Sequence, residues 1–175
     1  MFDYSAITKL DLENDIKNTL NIGLEQIQKI KNEETPSLGL FDLFERTISD
    51  LSGRVAFMAD VSKEEEIRDY GNEAESIIEN FLLEVTTDKE LYEKFRSIKT
   101  NTLDKESVKY FDEVMRDFID AGHELDHEKK TRLIEIEKKL IDLEINFSKN
   151  IAADKSEVIL DPVSYTHLRA HETFG

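Results

Sequence analysis

Apolar residues recur every three or four positions along most of the chain, with charged residues between them. This spacing is typical of amphipathic helices, and it predicts six of them. The first begins after Asp11 as the N-cap, and the second begins at Thr35-Pro36, because proline suits the first helical position. The first two apolar stripes are Leu12, Ile16, Leu20, Leu24 and Ile27, and then Leu40, Phe44, Ile48, Leu51, Val55 and Met58.

The later helix boundaries are predicted from capping residues. A serine or threonine followed three residues later by glutamate forms a capping box, which marks a helix start. A glycine after the last apolar position marks a helix end, because glycine adopts the left-handed conformation freely. The predicted boundaries are Ser62 with Glu65 for the third helix, Thr87 with Glu90 for the fourth, Asp104 before the fifth, Gly122 after it, and Asp126 before the sixth.

The sixth helix carries apolar residues at alternating spacings of three and four. This pattern fits a coiled-coil seam, but it spans little more than two heptads, so packing in the core of a bundle is the favoured interpretation. Because the loops are short, the chain is predicted to be an all-α antiparallel helical bundle, with a short strand at Ser156 to Leu160. The residues of the pattern are Leu133, Ile136, Leu140, Leu143 and Phe147.

Composition narrows the functional classes. The 175 residues suit one domain or a piece of a larger one. The absence of cysteine excludes disulfides, Cys-ligated metals and a thiol nucleophile. A net charge of −16 disfavours nucleic acid and anionic membranes as partners, since both require clustered Lys and Arg. With no signal peptide or membrane-spanning run, we expect a cytoplasmic protein.

The stretch from Val163 to Thr173 resembles the translation of a sequencing adapter in one reading frame, and every residue agrees with its codon. We therefore predict two regions, a helical part at 1–162 and a non-native tail at 163–175. Read as native protein, His167 and His171 would form a His-x-x-x-His metal clip on one helical face. The adapter interpretation is favoured, and it implies that the gene fragment is interrupted near Pro162.

One motif matches a zinc-peptidase pattern: His123-Glu124-Leu125-Asp126-His127. His-Glu-x-x-His holds zinc when both imidazoles lie on one face of a continuous helix, and the glutamate then acts as general base. Here Gly122 ends one helix and Asp126 begins the next, which predicts that the two histidines do not share a face. The motif is therefore interpreted as a chance match.

Two weaker candidates have structural explanations. Glu64, Glu65 and Glu66 fit the first turn of a helix, where acidic residues favour the macrodipole, better than a cation site. Asn146-Phe147-Ser148 matches a glycosylation pattern but lies in a predicted cytoplasmic helix. No catalytic, cofactor-binding or metal residue is assigned to this chain.

A block of residues then resembles a known family. The order Arg116-Asp117-Phe118, Ala121-Gly122, Leu125 and Arg132-Leu133, continuing to Asn150, is similar to the N-terminal half of M3 zinc oligopeptidases, the group of thimet oligopeptidase, oligopeptidase A and dipeptidyl carboxypeptidase. The resemblance to this family also includes upstream stretches at Thr35-Pro36, 40–45 and 88–92. The resemblance covers most of residues 6–161.

The resemblance implies part of the N-terminal helical lobe of a two-lobed enzyme whose channel admits short peptides. It implies zinc in the complete enzyme, held in a C-terminal catalytic lobe that is missing here, and none bound to this fragment, which should be inactive. His123–His127 falls in the wrong place to be that zinc motif. The alternative is a free-standing acidic helical adaptor that binds partner helices without catalysis.

Overall fold

The computed structural model describes Tyr4, residues 7–154 and Ser156 of the 175-residue chain, without the side chains of 152 and 153. This part of the chain is all-α, as predicted, and contains no strand. None of its helices is long and apolar enough to cross a membrane. The helices are α1 Lys9–Asn32, α2 Leu38–Val61, α3 Glu65–Thr87, α4 Lys89–Arg96, α5 Lys105–Asp120 and α6 His127–Ala153, with a 3₁₀ turn at Thr100–Thr102.

The start of α1 corrects the first predicted boundary. Thr8, not Asp11, is the N-cap, and the two residues form a capping box. The amide of Asp11 donates to Thr8 Oγ1 at 3.2 Å, and the amide of Thr8 donates to Asp11 Oδ2 at 3.0 Å. An aspartate at the third helical position can satisfy the N-cap amide, so Asp11 belongs inside the helix.

Two further helix starts differ from the prediction. Ser37 caps α2 by accepting from the amide of Leu40 at 3.2 Å, so the predicted Thr35-Pro36 start lies before the helix. Ser62 does not form the predicted box with Glu65. The N-cap of α3 is Glu64, whose amide donates to Ser62 Oγ at 3.3 Å.

Aspartate caps the remaining helices. Asp88, rather than the predicted Thr87, caps α4 and accepts from the amide of Leu91 at 2.9 Å. Thr87 instead ends α3, where its hydroxyl donates to the Leu83 carbonyl at 2.6 Å. The predicted caps at Asp104 and Asp126 are confirmed. A carboxylate here satisfies free amides and favours the positive end of the helix dipole.

One apolar core joins α1 to α5. Phe41 of α2 packs edge-on against Phe95 of α4, with ring centroids 4.8 Å apart. Phe118 of α5 contacts Phe95 at 5.6 Å, so aromatic rings tie the short α4 and α5 to the long helices. Fully enclosed side chains include Leu12, Ile30, Phe44, Ile48, Leu51, Val55, Ile78, Leu91 and Phe95.

Close backbone contact and an ion pair hold α2 against its neighbours. A Cβ built on Gly71 of α3 would lie 2.9 Å from the Cα of Ala59, so glycine permits α2 and α3 to approach. On the other side of α2, Arg54 donates two hydrogen bonds to Asp15 of α1, at 2.9 and 3.1 Å. Such a bidentate pair fixes the register of the two helices.

The packing of α6 contradicts the prediction for its apolar stripe. The helix packs on α3, and it buries Ile141 and half-buries Ile134 and Ile145. The predicted core residues lie largely exposed, with Leu143 64% and Phe147 67% accessible. The spacing correctly indicated an apolar face, but a second set of isoleucines makes the contact with the bundle.

Candidate functional site

The His123–His127 motif lies in a turn between two helices. Ala121 is the C-cap of α5, and Gly122 follows with a φ of +88°. The amide of Gly122 donates to the Ile119 carbonyl at 2.9 Å, and the amide of His123 reaches the Phe118 carbonyl at 3.4 Å. These two bonds form a Schellman motif, which ends α5 before the first histidine.

His123 is held by contacts with the bundle. Its Nε2 lies 2.8 Å from the Thr86 carbonyl oxygen, and its Nδ1 lies 3.3 Å from Lys130 Nζ. Its ring stacks on Tyr92 with centroids 4.4 Å apart and meets the edge of Phe118 at 5.7 Å. Because an ammonium group can only donate, Nδ1 accepts from Lys130 and the proton on Nε2 is donated to Thr86.

This environment favours the neutral imidazole. Burial lowers the pKa of His123, and the positive charge of Lys130 lowers it further. The hydrogen bond with Thr86 raises the pKa and so opposes these two effects. Both ring nitrogens are therefore engaged in bonds that hold the turn against the end of α3. His123 closes the α5–α6 turn onto α3.

The same geometry does not fit a zinc ion. His127 begins α6 and is exposed, whereas His123 precedes that helix, so the predicted separation of the two imidazoles is present. Zinc would need a free nitrogen from each ring, and those of His123 are already bonded. No group of three or more His, Asp or Glu residues is arranged to hold a metal within the described ranges.

A groove of about 330 Å³ lies between α2, α3 and α6. It is acidic, because Glu75 and Glu79 of α3 and Glu144 of α6 line it. Burial raises the pKa of Glu75, and repulsion from Asp60 and Glu79 adds to this. The groove therefore attracts positive charge.

A half-buried acid also joins α2 to α5. The Tyr110 hydroxyl donates to Glu45 Oε2 at 2.6 Å. Burial raises the pKa of Glu45, and the hydrogen bond from Tyr110 opposes that rise. Burial and the adjacent carboxylate also raise the pKa of Tyr110, so the phenol remains a proton donor. Nothing in the spacing of the two residues indicated this pair, which joins positions far apart in the sequence.

The other sequence candidates have structural places. Glu64 caps α3, and Glu65 and Glu66 occupy its first turn, as the macrodipole interpretation predicted. Asn146 lies in α6 and donates to the Asp142 carbonyl at 2.7 Å. Residues Glu157 to Leu160 of the predicted strand lie outside the part of the chain that the structure describes. The tail with His167 and His171 lies outside it too.

An acidic, all-α bundle with these sites does not by itself indicate an activity. Similarity to known proteins adds information about function. No protein-family model matches the chain. Two known proteins align with most of the chain. Thimet-like oligopeptidase of Dictyostelium discoideum is 27% identical over an alignment 154 residues long, and the match covers 82% of this chain. Saccharolysin of Saccharomyces cerevisiae is 26% identical over an alignment 155 residues long, and the match covers 83% of this chain.

These similarities are distant, and each covers more than four fifths of the chain. The alignments cover 23% and 21% of the two relatives. The chain therefore spans between a fifth and a quarter of the length of the proteins it matches. The similarity to a thimet-like oligopeptidase agrees with the resemblance that the residues between Arg116 and Asn150 show.

Proposed function

We propose that residues 1–162 form part of the N-terminal helical lobe of an M3-type zinc oligopeptidase, where they build one wall of a peptide channel. The observation that carries the proposal is the alignment of one oligopeptidase along 82% of this chain. The all-α fold supports it, since a rigid helical wall needs no reactive group of its own. Residues 163–175 are a non-native tail.

Catalysis belongs to the part of the enzyme outside this chain. There, zinc would activate water for attack on the scissile carbonyl of a short peptide. The chain contributes shape to the channel, and His123 is not one of the zinc ligands, because both of its ring nitrogens are engaged with Thr86 and Lys130. We expect the complete enzyme to be cytoplasmic. The 175-residue chain alone should be an inactive fragment.

The source DNA across Pro162 tests the proposal directly. We expect the frame to continue for several hundred codons, to contain a His-Glu-x-x-His helix, and to lack the codons of Val163 to Gly175. The complete product should hydrolyse short peptides, lose activity with a zinc chelator and regain it with added zinc. The 175-residue chain should release no product.

Two results contradict the proposal. Chelator-resistant peptide hydrolysis by the 175-residue chain would show that it has chemistry of its own. A genomic stop codon directly after Gly175 would make the chain a complete small protein, and the acidic adaptor would then be the better account.

A further inference from the structure

The exposed stripe of α6 repeats with heptad spacing. Leu133, Ile136, Leu140, Leu143 and Phe147 occupy alternating a and d positions, and Asn150 continues the series; we call these six residues the α6 seam. Four of them are large, exposed apolar side chains, between 41% and 67% accessible. Contiguous exposed apolar surface of this kind marks an interaction site.

The bundle leaves the α6 seam accessible from the outside. The residues by which α6 packs on α3, Ile134, Ile141 and Ile145, project from the far side of the helix. A second helix can therefore approach the exposed part of the seam, from Ile136 to Phe147, on the side of α6 that faces away from α3. The seam is a lateral surface of the part of the chain that the structure describes.

The charges beside the α6 seam select an orientation for its occupant. With Leu133 at position a, the g positions are Arg132 and Lys139, and the e positions are Glu137 and Glu144. In a parallel pair each g residue faces the e residue of the next heptad in the partner. Arg132 then faces Glu137, and Lys139 faces Glu144, so every contact joins opposite charges.

An antiparallel pair would bring like charges together. There, g residues face g residues and e residues face e residues, so the basic edge would meet a basic edge and the acidic edge an acidic one. Within one protomer Glu144 faces the acidic groove, where its charge adds to the burial that raises the pKa of Glu79. A lysine from a parallel partner would place a positive charge there.

We propose that the α6 seam binds the same seam of a second copy of this chain, as a parallel two-stranded coiled coil. The inference is independent of the proposed enzymatic function, because it rests on the charges and exposure of α6. Since the seam covers little more than two heptads, the dimer should be weak and should dissociate on dilution. Sedimentation over a wide concentration range should show a monomer–dimer equilibrium.

A matched pair of substitutions tests the surface. Leu143 and Leu10 are 64% and 62% exposed, and Leu10 lies on α1 and is not part of the seam. Leu143→Glu should weaken association by at least about tenfold, because it places a carboxylate at the dimer axis. Leu10→Glu should leave it unchanged. Circular dichroism should show equal helicity for both, so that loss of association is separable from loss of fold.

A charge exchange tests the orientation. Lys139→Glu should weaken a parallel dimer by roughly tenfold, because it faces Glu144 of the partner subunit. Adding Glu144→Lys to the same chain should restore association. In an antiparallel dimer Lys139→Glu should instead strengthen association, because the new glutamate would face the basic edge of the partner.

Three outcomes would overturn the proposal. The chain could remain monomeric at every concentration, the dimer could ignore Leu143→Glu, or Lys139→Glu could strengthen it. A monomeric chain, together with a complete peptidase whose α6 seam is protected from hydrogen exchange, would assign the seam to another part of the longer protein. None of these results depends on whether peptides are hydrolysed.

Discussion

At the residue scale, His123 is a titratable group whose neutral form the fold favours. Its folded pKa lies below the ordinary value of 6.5, chiefly because the ring is buried. The unfolded chain therefore binds a proton more readily than the folded chain. The stability that His123 supplies is complete above pH 6.5 and declines as the pH falls below that value.

We expect His123→Ala to lower the free energy of unfolding by about 1–3 kcal/mol at neutral pH. The substitution removes the bonds to Thr86 and Lys130 and the stack on Tyr92. The difference from the wild type should shrink in mildly acidic buffer. Urea unfolding at several pH values measures both effects, and His127→Ala is the matched control, expected to cost less than about 0.5 kcal/mol.

Zinc titration separates this structural role from a ligand role. Calorimetry should detect no site that depends on His123. If the wild type bound one zinc ion and His123→Ala abolished that binding, the interpretation of the motif as a chance match would be wrong.

The bond between Tyr110 and Glu45 gives a second residue-scale prediction. Tyr110→Phe should destabilise the fold by about 1–2 kcal/mol at neutral pH, because a half-buried carboxylate loses its donor. Without that donor the pKa of Glu45 should rise further. Because the folded-state pKa of Glu45 lies above its ordinary value of 4.5 in both proteins, the cost should decline as the pH falls toward 4.5, where the carboxyl group of the folded protein is already mostly protonated.

A double-mutant cycle with Glu45→Gln measures this coupling. We expect a favourable interaction energy at neutral pH that decreases on acidification. If the double-mutant cycle gave no interaction energy between Tyr110 and Glu45 at neutral pH, the hydrogen bond between them would be contradicted.

At the scale of elements, helix ends decide how α5 turns into α6. The φ of Gly122 is +88°, and a Cβ there would lie 2.9 Å from Leu133 Cδ2. Gly122→Ala should therefore destabilise the protein by about 1–2 kcal/mol. Gly53 lies inside α2 with open space around its Cα, so Gly53→Ala should stabilise by about 0.5–1 kcal/mol.

Thermal unfolding of the two alanine variants checks this prediction. Opposite signs are expected from the same chemical change, because one glycine requires a left-handed conformation and the other lies within a helix. Equal shifts of the transition for both variants would rule out the conformational explanation.

Sequence reasoning identified the helices because their spacing and caps are local properties. Gly122 and Asp126 alone indicated that the His123–His127 motif is broken by a turn. Boundaries shifted where two capping residues compete within a few positions, as with Asp11 and Thr8. The contacts of His123 with Thr86 and Tyr92 join distant positions, and no local pattern encodes them.

The two apolar sets of α6 show the same limit. Spacing at three and four residues indicates that a helix has an apolar face, but not which neighbour covers it. Leu140 and Ile141 belong to different sets although they are adjacent in sequence. Tertiary packing chose the set containing Ile141 and left the one containing Leu140 exposed.

At the scale of the whole molecule, stability should be unevenly distributed. The buried core joins α1 to α5, whereas α6 rests on α3 through one face. Local opening costs least where few apolar contacts must be broken. The C-terminal half of α6, from Leu140 onward, should therefore exchange its amide hydrogens faster than the centres of α1, α2 and α3 in dilute protein.

Hydrogen exchange at two protein concentrations measures this and links it to the α6 seam. Raising the concentration should slow exchange in α6 while leaving α2 unchanged, because association stabilises the helix that forms the interface. The Leu143→Glu variant should show no such concentration dependence, whereas Leu10→Glu should behave as the wild type. Exchange in α6 as slow as in α2 at high dilution would mean that contact with α3 alone fixes the helix, and the uneven distribution of stability would be disproved.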